Sequence, residues 1–562
     1  MKKLFIYGTM ALMALTSCND FLDKAPLDAF TNTPAYWSNT SNLDNQCNTF
    51  YNNYSGYGNG SGSGWYYFKT LSDDQVDYQS TVWTYTSVVA TSTNWSDPFT
   101  EIRRANYIIE GLKTSSLDDA VKANYEGLAR LNRAWEYYQL VRMYGDVQWI
   151  TTVVDPAEKD VVYGPRTDRD IVMDNVLEDL NYATTTITGT NKQRFSADMA
   201  LAMKADITLY EGTYCKYRNA NDNAGKAADN ARAEKYLREC VSACETLMGK
   251  GYSLNPSYQG NYNSISLSSN PEMIFYKPYS QNTFMHSTID YTINTSGTSG
   301  MTKNAFDSYL FLDGKPKAIT TMDTNDAAVN GKYNLESVLA VRDKRLAITL
   351  DPVLCFKGSA YSRAGVAAFT STTGYGIAKY DNTAELSVSD RNSIGKQYTD
   401  CPLFWLSVVY LNFAEAKAEL GTLTQADLDN SINKLQERAG LPAMTTSPEA
   451  DPANNMGVSN LLWEIRRCRR CELMCDNWTR YWDLIRWHKL DLLDSSKNPT
   501  IYLGANMKNV ENPEVDVNSD GYMIGSNTIN QPRTYEAKHY FYPIPTTQLT
   551  LNSNMEQNPF WK

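Results

Sequence analysis

The sequence is poor in histidine and lacks the short motifs that most enzymes carry. Its 562 residues include three histidines, His286, His488 and His539, which are far apart along the chain. A histidine-based triad or zinc site therefore has little material. No Rossmann or P-loop glycine pattern occurs, and no G-x-S-x-G or S-x-x-K nucleophile motif stands in a convincing context. We expect no catalysis and no cofactor.

Charge and hydropathy exclude two further classes of protein. The 63 acidic residues outnumber the 52 basic ones, and the formal net charge of −11 is unsuited to a nucleic-acid partner. Apart from the N-terminus, no apolar run reaches about 18 residues. The best candidate, PLFWLSVVYLNF at 402–413, is interrupted by Ser407 and Asn412. The composition, with 42% hydrophobic and 20% charged residues, is typical of a globular chain.

The first twenty residues resemble a bacterial lipoprotein signal. Lys2 and Lys3 precede the stretch LFIYGTMALMAL, which is apolar but too short to span a membrane. The tetrapeptide LTSC at 15–18 resembles the lipobox that signal peptidase II cuts. We expect residues 1–17 to be a signal peptide and Cys18 to carry a lipid anchor. The alternative is an ordinary signal peptide with an incidental cysteine.

The other nine cysteines do not form a disulfide framework, because their number is odd and they are scattered. Three lie in CRRCELMC at 468–475, with the spacing of metal ligands on one helix face. However, the nearest candidate for a fourth ligand, His488, lies about 20 Å further along a helix. The same spacing fits one apolar stripe of a helix at about 457–490, formed by Leu461, Ile465, Cys468, Cys475, Trp478, Trp482 and Ile485. We interpret the stretch as a core seam without a metal, and expect the neighbouring arginines to flank it or point away, namely Arg466, Arg467, Arg469, Arg470 and Arg480.

Hydrophobic periodicity divides the chain into helical and irregular regions. Asp97 is a plausible N-cap with Pro98 at the first helical position. Further amphipathic helices are predicted at about 117–144, 169–186, 196–217, 230–249, 402–420, 425–439 and 457–490. The regions 51–96 and 251–400 are rich in Tyr, Ser and Gly or Asn without helical periodicity, which predicts loops and short strands. The pattern predicts a mainly α protein in which a helical scaffold carries a loop-rich binding face.

Several sequence blocks, taken in order, are similar to those of the SusD/RagB family, the surface lipoproteins of Bacteroidetes. The blocks include CNDFLDKAPLDAFTNTPAYW after the lipobox, EIRRANYIIEGL at 101–112, ARLNRAWEYYQLVRMYGDVQWI at 129–150, YLNFAEAKAELG at 410–421 and the terminal FYPIPTTQLTLNSNMEQNPFW. The chain departs from the family pattern at Cys468 and Cys475, where glutamates are usual, and at Gln148, where proline is usual.

The resemblance implies tetratricopeptide-like helical hairpins with a loop-rich face that binds glycans. It also implies a lipid-anchored position at the cell surface in the outer membrane, and a SusC-like TonB-dependent transporter as partner. Residues 18–562 would form one domain, with an N-terminal helical part at 18–250, a loop-rich insertion at 251–400 and a C-terminal helical part at 401–562. A peptide-binding, RagB-like protein is the main alternative. A glycoside hydrolase is a distant one, because it needs two facing carboxylates about 5 to 9.5 Å apart.

Glycan recognition requires flat aromatic faces for sugar rings together with polar groups for hydroxyls. The two irregular regions supply such residues. The predicted glycan-binding residues are Trp65, Trp83, Tyr85, Asp73 and Asp74 from 51–96, and Tyr279 and Tyr291 from 251–400, where Tyr309 and Tyr375 are further candidates. We expect Trp95 instead to pack against the helix that contains Pro98.

Overall fold

Helices make up most of the regular structure in the computed structural model. The structure describes residues 32–58, 72–77, 87–221, 225–293, 299–329, 333–356, 362–363, 366–367, 371–476, 479–513, 515–525 and 533–562. Within these ranges the α-helices are α1 Pro34–Trp37, α2 Thr40–Asn48, α3 Thr93–Leu112, α4 Asp119–Tyr144, α5 Lys159–Val162, α6 Arg169–Thr186, α7 Ala197–Tyr217, α8 Asn230–Met248, α9 Gly260–Asn263, α10 Thr288–Ile293, α11 Lys303–Ser308, α12 Glu336–Leu339, α13 Lys344–Thr349, α14 Val388–Arg391, α15 Leu406–Glu419, α16 Gln425–Asp429, α17 Ile432–Ala439, α18 Asn460–Glu472, α19 Thr479–Arg486 and α20 Thr546–Leu551.

The strands are short and pair in twos. They are β1 Gln75–Asp77, β2 Met273–Lys277, β3 Ser299–Met301, β4 Ser362–Arg363, β5 Val366–Ala367, β6 Cys401–Trp405, β7 Leu503–Asn506 and β8 Tyr522–Ile524. The pairs β1–β3, β2–β6, β4–β5 and β7–β8 are all antiparallel. Short 3₁₀ helices occupy Thr49–Asn53, Leu490–Leu493, Pro499–Tyr502 and Ala537–Tyr540. The prediction of a mainly α protein is confirmed.

The long helices form a helical frame, which we define as α3, α4, α6, α7, α8, α15, α18 and α19. Helix α3 packs on α4, α4 on α6, α6 on α7 and α7 on α8, so neighbours in sequence are neighbours in space. Helix α8 then packs on α15, and α15 on α18, which brings in the C-terminal part. One continuous hydrophobic cluster extends from Trp37 to Met555. None of the helices in the described ranges is both long enough and apolar enough to cross a membrane.

Helix α3 begins earlier than predicted. Its N-cap is Ser92, so Pro98 lies inside the helix rather than at its first position, and the Asp97 N-cap prediction is wrong. The extra turn is held by Trp95, whose ring is buried and meets Tyr144 edge-on with centroids 4.9 Å apart. Trp95 packs on this helix as expected, since its ring also contacts Phe99 with centroids 5.5 Å apart, but it does so from within the helix rather than from before it.

The C-terminal helix predicted at 457–490 is two helices, so the single apolar stripe is wrong. Between α18 and α19, Cys475 adopts a left-handed backbone with φ of 62°, which no α-helix accommodates. Two other boundaries also differ. Residues 401–405 form strand β6 before α15 begins, and 425–439 divides into α16 and α17. The cysteines at 468, 471 and 475 are buried, as expected of a core seam.

Candidate functional site

Loops from the two irregular regions meet in the structure. Strand β1, from the N-terminal region, pairs with β3, from the insertion, with Gln75 opposite Met301. The Thr372 hydroxyl donates to the Val76 carbonyl oxygen at 2.9 Å, which adds a second segment of the insertion to the same place. The Ser287 amide also donates to the Gly58 carbonyl oxygen at 3.2 Å. Gly58 is the last described residue before the gap at 59–71. The helical frame therefore supports a face assembled from both regions.

Four ring-bearing side chains, Tyr57, Tyr279, Phe284 and His286, form what we call the aromatic cluster. The rings of Tyr279 and Phe284 stack face to face, with centroids 4.8 Å apart and planes 4° apart. The imidazole of His286 lies 4.8 Å from Tyr279 and 4.9 Å from Tyr57. Tyr57, Tyr279 and His286 are buried, whereas Phe284 is 46% exposed. The cluster thus holds one aromatic ring at the surface on a buried base.

The base of the cluster is fixed by hydrogen bonds. The Tyr279 hydroxyl donates to the Tyr57 carbonyl oxygen, and its backbone amide donates to Asp400 Oδ1 at 2.8 Å. Burial raises the pKa of Asp400 to about 6, and burial lowers the pKa of His286 to about 3. The imidazole is therefore neutral at physiological pH. The rings offer a fixed apolar surface, and the Lys277 ammonium lies 5.4 Å from the centroid of the Phe284 ring.

The turn that carries Phe284 is otherwise polar. Ser280 and Phe284 exchange backbone hydrogen bonds of 2.8 and 3.0 Å, which close the turn at residues 280–284. Asn282 lies at its tip with a left-handed φ of 64°, a conformation that asparagine tolerates better than most residues. The residues between the two ends are exposed and carry amides or a hydroxyl, namely Gln281, Asn282 and Thr283. An exposed ring bordered by such groups can contact both the carbon and the oxygen atoms of a sugar.

Sequence reasoning did not select Phe284. The predicted platform favoured positions where aromatic residues are numerous, and Phe284 stands alone in the polar stretch SQNTFMHS. The sequence did contain one signal for Phe284, because a large apolar residue among turn-forming residues is unlike a core position. Tyr279, which was predicted, belongs to the cluster, but it is 6% exposed and supports the outer ring from below.

The predicted acidic pair occupies a structural position. Asp73 and Asp74 are buried, which corrects the expectation that their carboxylates face a ligand. Asp73 accepts from Arg480 Nε at 2.7 Å and Nη2 at 2.8 Å, and Asp74 accepts from Arg470 Nε at 2.7 Å. Burial opposes ionisation of Asp73, but Arg470 and Arg480 hold its pKa below the usual range. Burial raises the pKa of Asp74. The pair attaches the N-terminal loops to α18 and α19.

The remaining predicted residues are either buried, placed in a helix, or outside the described residues. Tyr309 and Tyr375 are fully buried and so cannot present their faces to a ligand, which corrects their place in the platform. Tyr291 lies in helix α10. Trp65, Trp83, Tyr85 and the lipidation residue Cys18 lie outside the described residues. Their predicted roles therefore stay predictions.

The arginines of the CRRCELMC region are buried rather than pointing away. Arg469 donates to Asp483 at 2.8 Å and Arg467 pairs with Asp451, while Arg466 donates to Glu419 at 2.8 Å. The charge of these arginines is evident from the sequence, but their acidic partners could not be predicted because they lie in other elements of the chain.

The thiols beside these arginines have the chemistry of core residues. Burial raises the pKa of Cys468 to about 11 and that of Cys471 to about 12. Both are therefore protonated at physiological pH, whereas a metal or redox site needs thiolates.

One other group of potential ligand atoms lies in the frame. Oxygen and sulfur atoms of Asp170, Glu211 and Cys215 come within 4.8 Å of one another. However, Arg169 Nη2 donates to Glu211 at 2.6 Å and Arg218 Nη1 donates to Asp170 at 2.7 Å. Guanidinium groups already occupy the place where a cation would bind, so this cluster is an ion-pair network.

Comparisons with known proteins agree with this architecture. The sequence profile of the SusD family matches residues 269–561, and a profile described as "Starch-binding associating with outer membrane" matches residues 20–209. A SusD-like protein of Bacteroides ovatus is 23% identical over 600 residues, with 99% of this chain and 97% of the relative covered.

Solved structures give the same result for the fold. A SusD-like carbohydrate binding protein of Bacteroides fragilis has a TM-score of 0.69 at 19% identity, with 93% of this chain and 100% of that chain covered. A laminarin binding SusD-like protein has a TM-score of 0.54 at 18% identity, with 94% of this chain and 100% of that chain covered. Since the first profile alone covers more than half of its length, the chain belongs to the SusD family.

Proposed function

We propose that this protein captures oligosaccharide or polysaccharide at the cell surface and delivers it to a SusC-like, TonB-dependent transporter in the outer membrane. Capture requires no bond making or breaking. The protein contributes a preformed surface, and the transporter contributes the path across the membrane.

The observation that carries this proposal is the exposed Phe284 ring on its buried Tyr279 base. Half of the phenyl surface is already removed from water, so little side-chain freedom is lost when a sugar covers the rest. The C–H face of a pyranose can stack on the ring. Its hydroxyls can then bond to Gln281, Asn282 and Thr283 in the same turn. Apolar and polar contacts on one ligand are thereby combined within five residues.

The neighbouring N-terminal loops complete the proposed surface. Gly58 is held against Ser287, three residues from Phe284, by a hydrogen bond of 3.2 Å. The segment that follows Gly58 contains Trp65, and the next carries Trp83 and Tyr85. We propose these three residues and Tyr291 as further stacking positions. Asp73 and Asp74 contribute indirectly, by fixing β1 against the frame.

Anchoring is the second part of the proposal. Residues 1–17 would be removed as a signal peptide, and a lipid on Cys18 would hold the single domain 18–562 at the outer membrane. The profile match at residues 20–209, described as associating with outer membrane, supports this position. A Cys18→Ser variant should be released from membranes in soluble form. Retention of that variant in the membrane fraction would contradict anchoring through Cys18.

Calorimetry tests ligand class directly. The chain without residues 1–18 is titrated with starch, laminarin and other plant, host and microbial glycans, and in parallel with mixed peptides. We expect saturable heat with at least one glycan. Heat with peptides and none with any glycan would reject this proposal in favour of a RagB-like peptide binder.

A further inference from the structure

A cavity lies inside the helical frame, separate from the aromatic cluster. Its volume is about 190 Å³, and its walls come from α4, α7, β6, α15, α18 and α19. Six aromatic side chains contribute to the lining, namely Trp135, Tyr138, Tyr210, Phe404, Trp405 and Trp482. The cavity is partly open to solvent, so a small molecule can reach it.

Polar groups without partners occur in the same lining. Within the described residues, the Tyr210 hydroxyl, the Trp405 indole N–H and Arg142 Nε are buried and make no hydrogen bond. Tyr210 is 4% exposed and Trp405 is 5% exposed, so bulk water does not satisfy them. Each orphaned donor destabilises the folded protein unless something in the cavity accepts a hydrogen bond from it.

The charges of the lining indicate a neutral ligand. The lining contains three arginines, 142, 469 and 486, and three aspartates, 206, 476 and 483, so its formal charges cancel, although Asp476 pairs with Lys379 rather than with one of these arginines. Asp483 accepts from both Arg469 and Arg486 at 2.8 Å. Asp206 accepts from the Asn412 amide, and burial raises the pKa of Asp206 to about 6. An added ion would upset this balance, whereas a neutral molecule with hydroxyl groups would not.

The volume of the cavity also limits the size of the ligand. A cavity of roughly 150 Å³ is enough to bind benzene, so about 190 Å³ accommodates one six-membered ring with small substituents. Four of the lining residues are only half-buried and so are also reached by solvent, namely Arg142, Asp206, Val408 and Thr479. They mark the side from which a ligand can enter.

We propose that this cavity is a second binding site, for a single neutral monosaccharide. The Arg142 guanidinium already lies over the rings of Trp482 and Tyr138, 4.2 and 4.9 Å from their centroids, so the sugar would lie against the other aromatic side chains of the lining. Its hydroxyl oxygens would accept from Tyr210, Trp405 and Arg142. The site is distinct from the surface around Phe284 and too small for a polysaccharide. It would therefore respond to a free sugar, such as a breakdown product of the glycan bound outside.

The test is calorimetry of the mature chain with glucose, galactose, mannose and N-acetylglucosamine as separate titrants. We expect saturable one-to-one binding of at least one of them, with Kd in the millimolar range or tighter. Tyr210→Phe and Trp405→Phe should each weaken it by about three- to tenfold, because each removes one hydrogen-bond donor. Tyr217→Phe is the matched control, because its hydroxyl donates to Glu419 outside the cavity.

Two results would overturn the proposal: no binding of any of the four sugars, or binding that both cavity variants leave unchanged. Thermal unfolding of the variants verifies that they fold. The outcome is separable from that of the outer surface, because Phe284→Ala should leave monosaccharide affinity unchanged. A soaked crystal with only water in the cavity would also contradict the proposal.

Discussion

The helical frame and the aromatic cluster differ in whether their side chains are fully paired within the protein. In the frame, buried charges are closely matched: Arg486 donates to Glu415 at 2.6 and 2.7 Å, and Arg169 donates to Glu211 at 2.6 and 3.0 Å. In the cluster, the contacts are mostly between rings, the Lys277 ammonium lies 5.4 Å from the Phe284 centroid, and Phe284 is left 46% exposed. The frame pairs its charges internally, while the cluster leaves part of the Phe284 ring exposed to solvent. Substitutions in the frame should therefore change stability, and those in the cluster should change affinity.

The largest effect is expected from Glu415→Gln. The substitution removes the carboxylate charge of Glu415. In the wild type, that carboxylate faces Arg486 and accepts a hydrogen bond from the Trp487 indole N–H at 2.6 Å. Breaking such a buried pair costs about 3 to 5 kcal/mol in the free energy of unfolding. Urea denaturation measures that change. An intact glycan affinity in the folded variant is the control that separates frame from cluster.

The same pair gives a pH dependence. Burial opposes ionisation of Glu415, but Arg486, with Arg469 and Arg466, holds its pKa at about 2. Because this pKa lies below its unfolded value, the carboxylate contributes stability that is complete above about pH 4.5 and is lost as the pH falls toward 2. The difference between wild type and Glu415→Gln should shrink over that window. A difference that stays constant from pH 5 to pH 2 would contradict the assignment.

Asp73→Ala tests whether the predicted ligand carboxylate belongs to the frame. It leaves Arg480 without its two-pronged partner, and we expect a loss of about 3 kcal/mol in the free energy of unfolding. Asp74→Ala should cost about half as much, because Arg470 keeps Asn304 Oδ1 at 2.9 Å. Chemical denaturation compares the two variants. If Asp73→Ala folds normally but loses glycan affinity, the carboxylate contacts ligand after all.

Glu136 is an exception to the pairing of buried charges in the helical frame. It is buried in α4, and burial, with Glu101 and Asp97 nearby, raises its pKa to about 8. Because the folded pKa lies above the unfolded one, stability declines as the pH rises from about 4.5 to 8. Glu136→Gln should remove that decline and gain up to about 4 kcal/mol over wild type by pH 8. Parallel pH–stability curves for the two proteins would contradict this.

Much of the frame could be predicted from sequence because helical periodicity is local. The predictions for α4, α6, α7 and α8 agree with the structure to within about two residues. The break at Cys475 and the pairing of Arg480 with Asp73 could not be predicted. The first depends on one left-handed residue, and the second joins residues 407 positions apart.

The binding face was harder to predict for the same reason. Composition indicated which regions are irregular, and the structure does bring parts of both together at β1 and β3. It could not indicate which rings are covered, since exposure depends on neighbours supplied by distant segments. Tyr309 and Phe284 both come from the irregular insertion, yet the first is fully buried and the second is 46% exposed.

The central claim is that the exposed ring of the cluster binds glycan without supporting the fold. The direct test measures both affinity and thermal stability for Phe284→Ala, with the exposed Phe560→Ala as matched control. We expect Phe284→Ala to weaken binding of the best glycan about fivefold, or roughly 1 kcal/mol, with a melting temperature within about 2 °C of wild type. Phe560→Ala should leave both unchanged. Unchanged glycan affinity in Phe284→Ala would contradict the account.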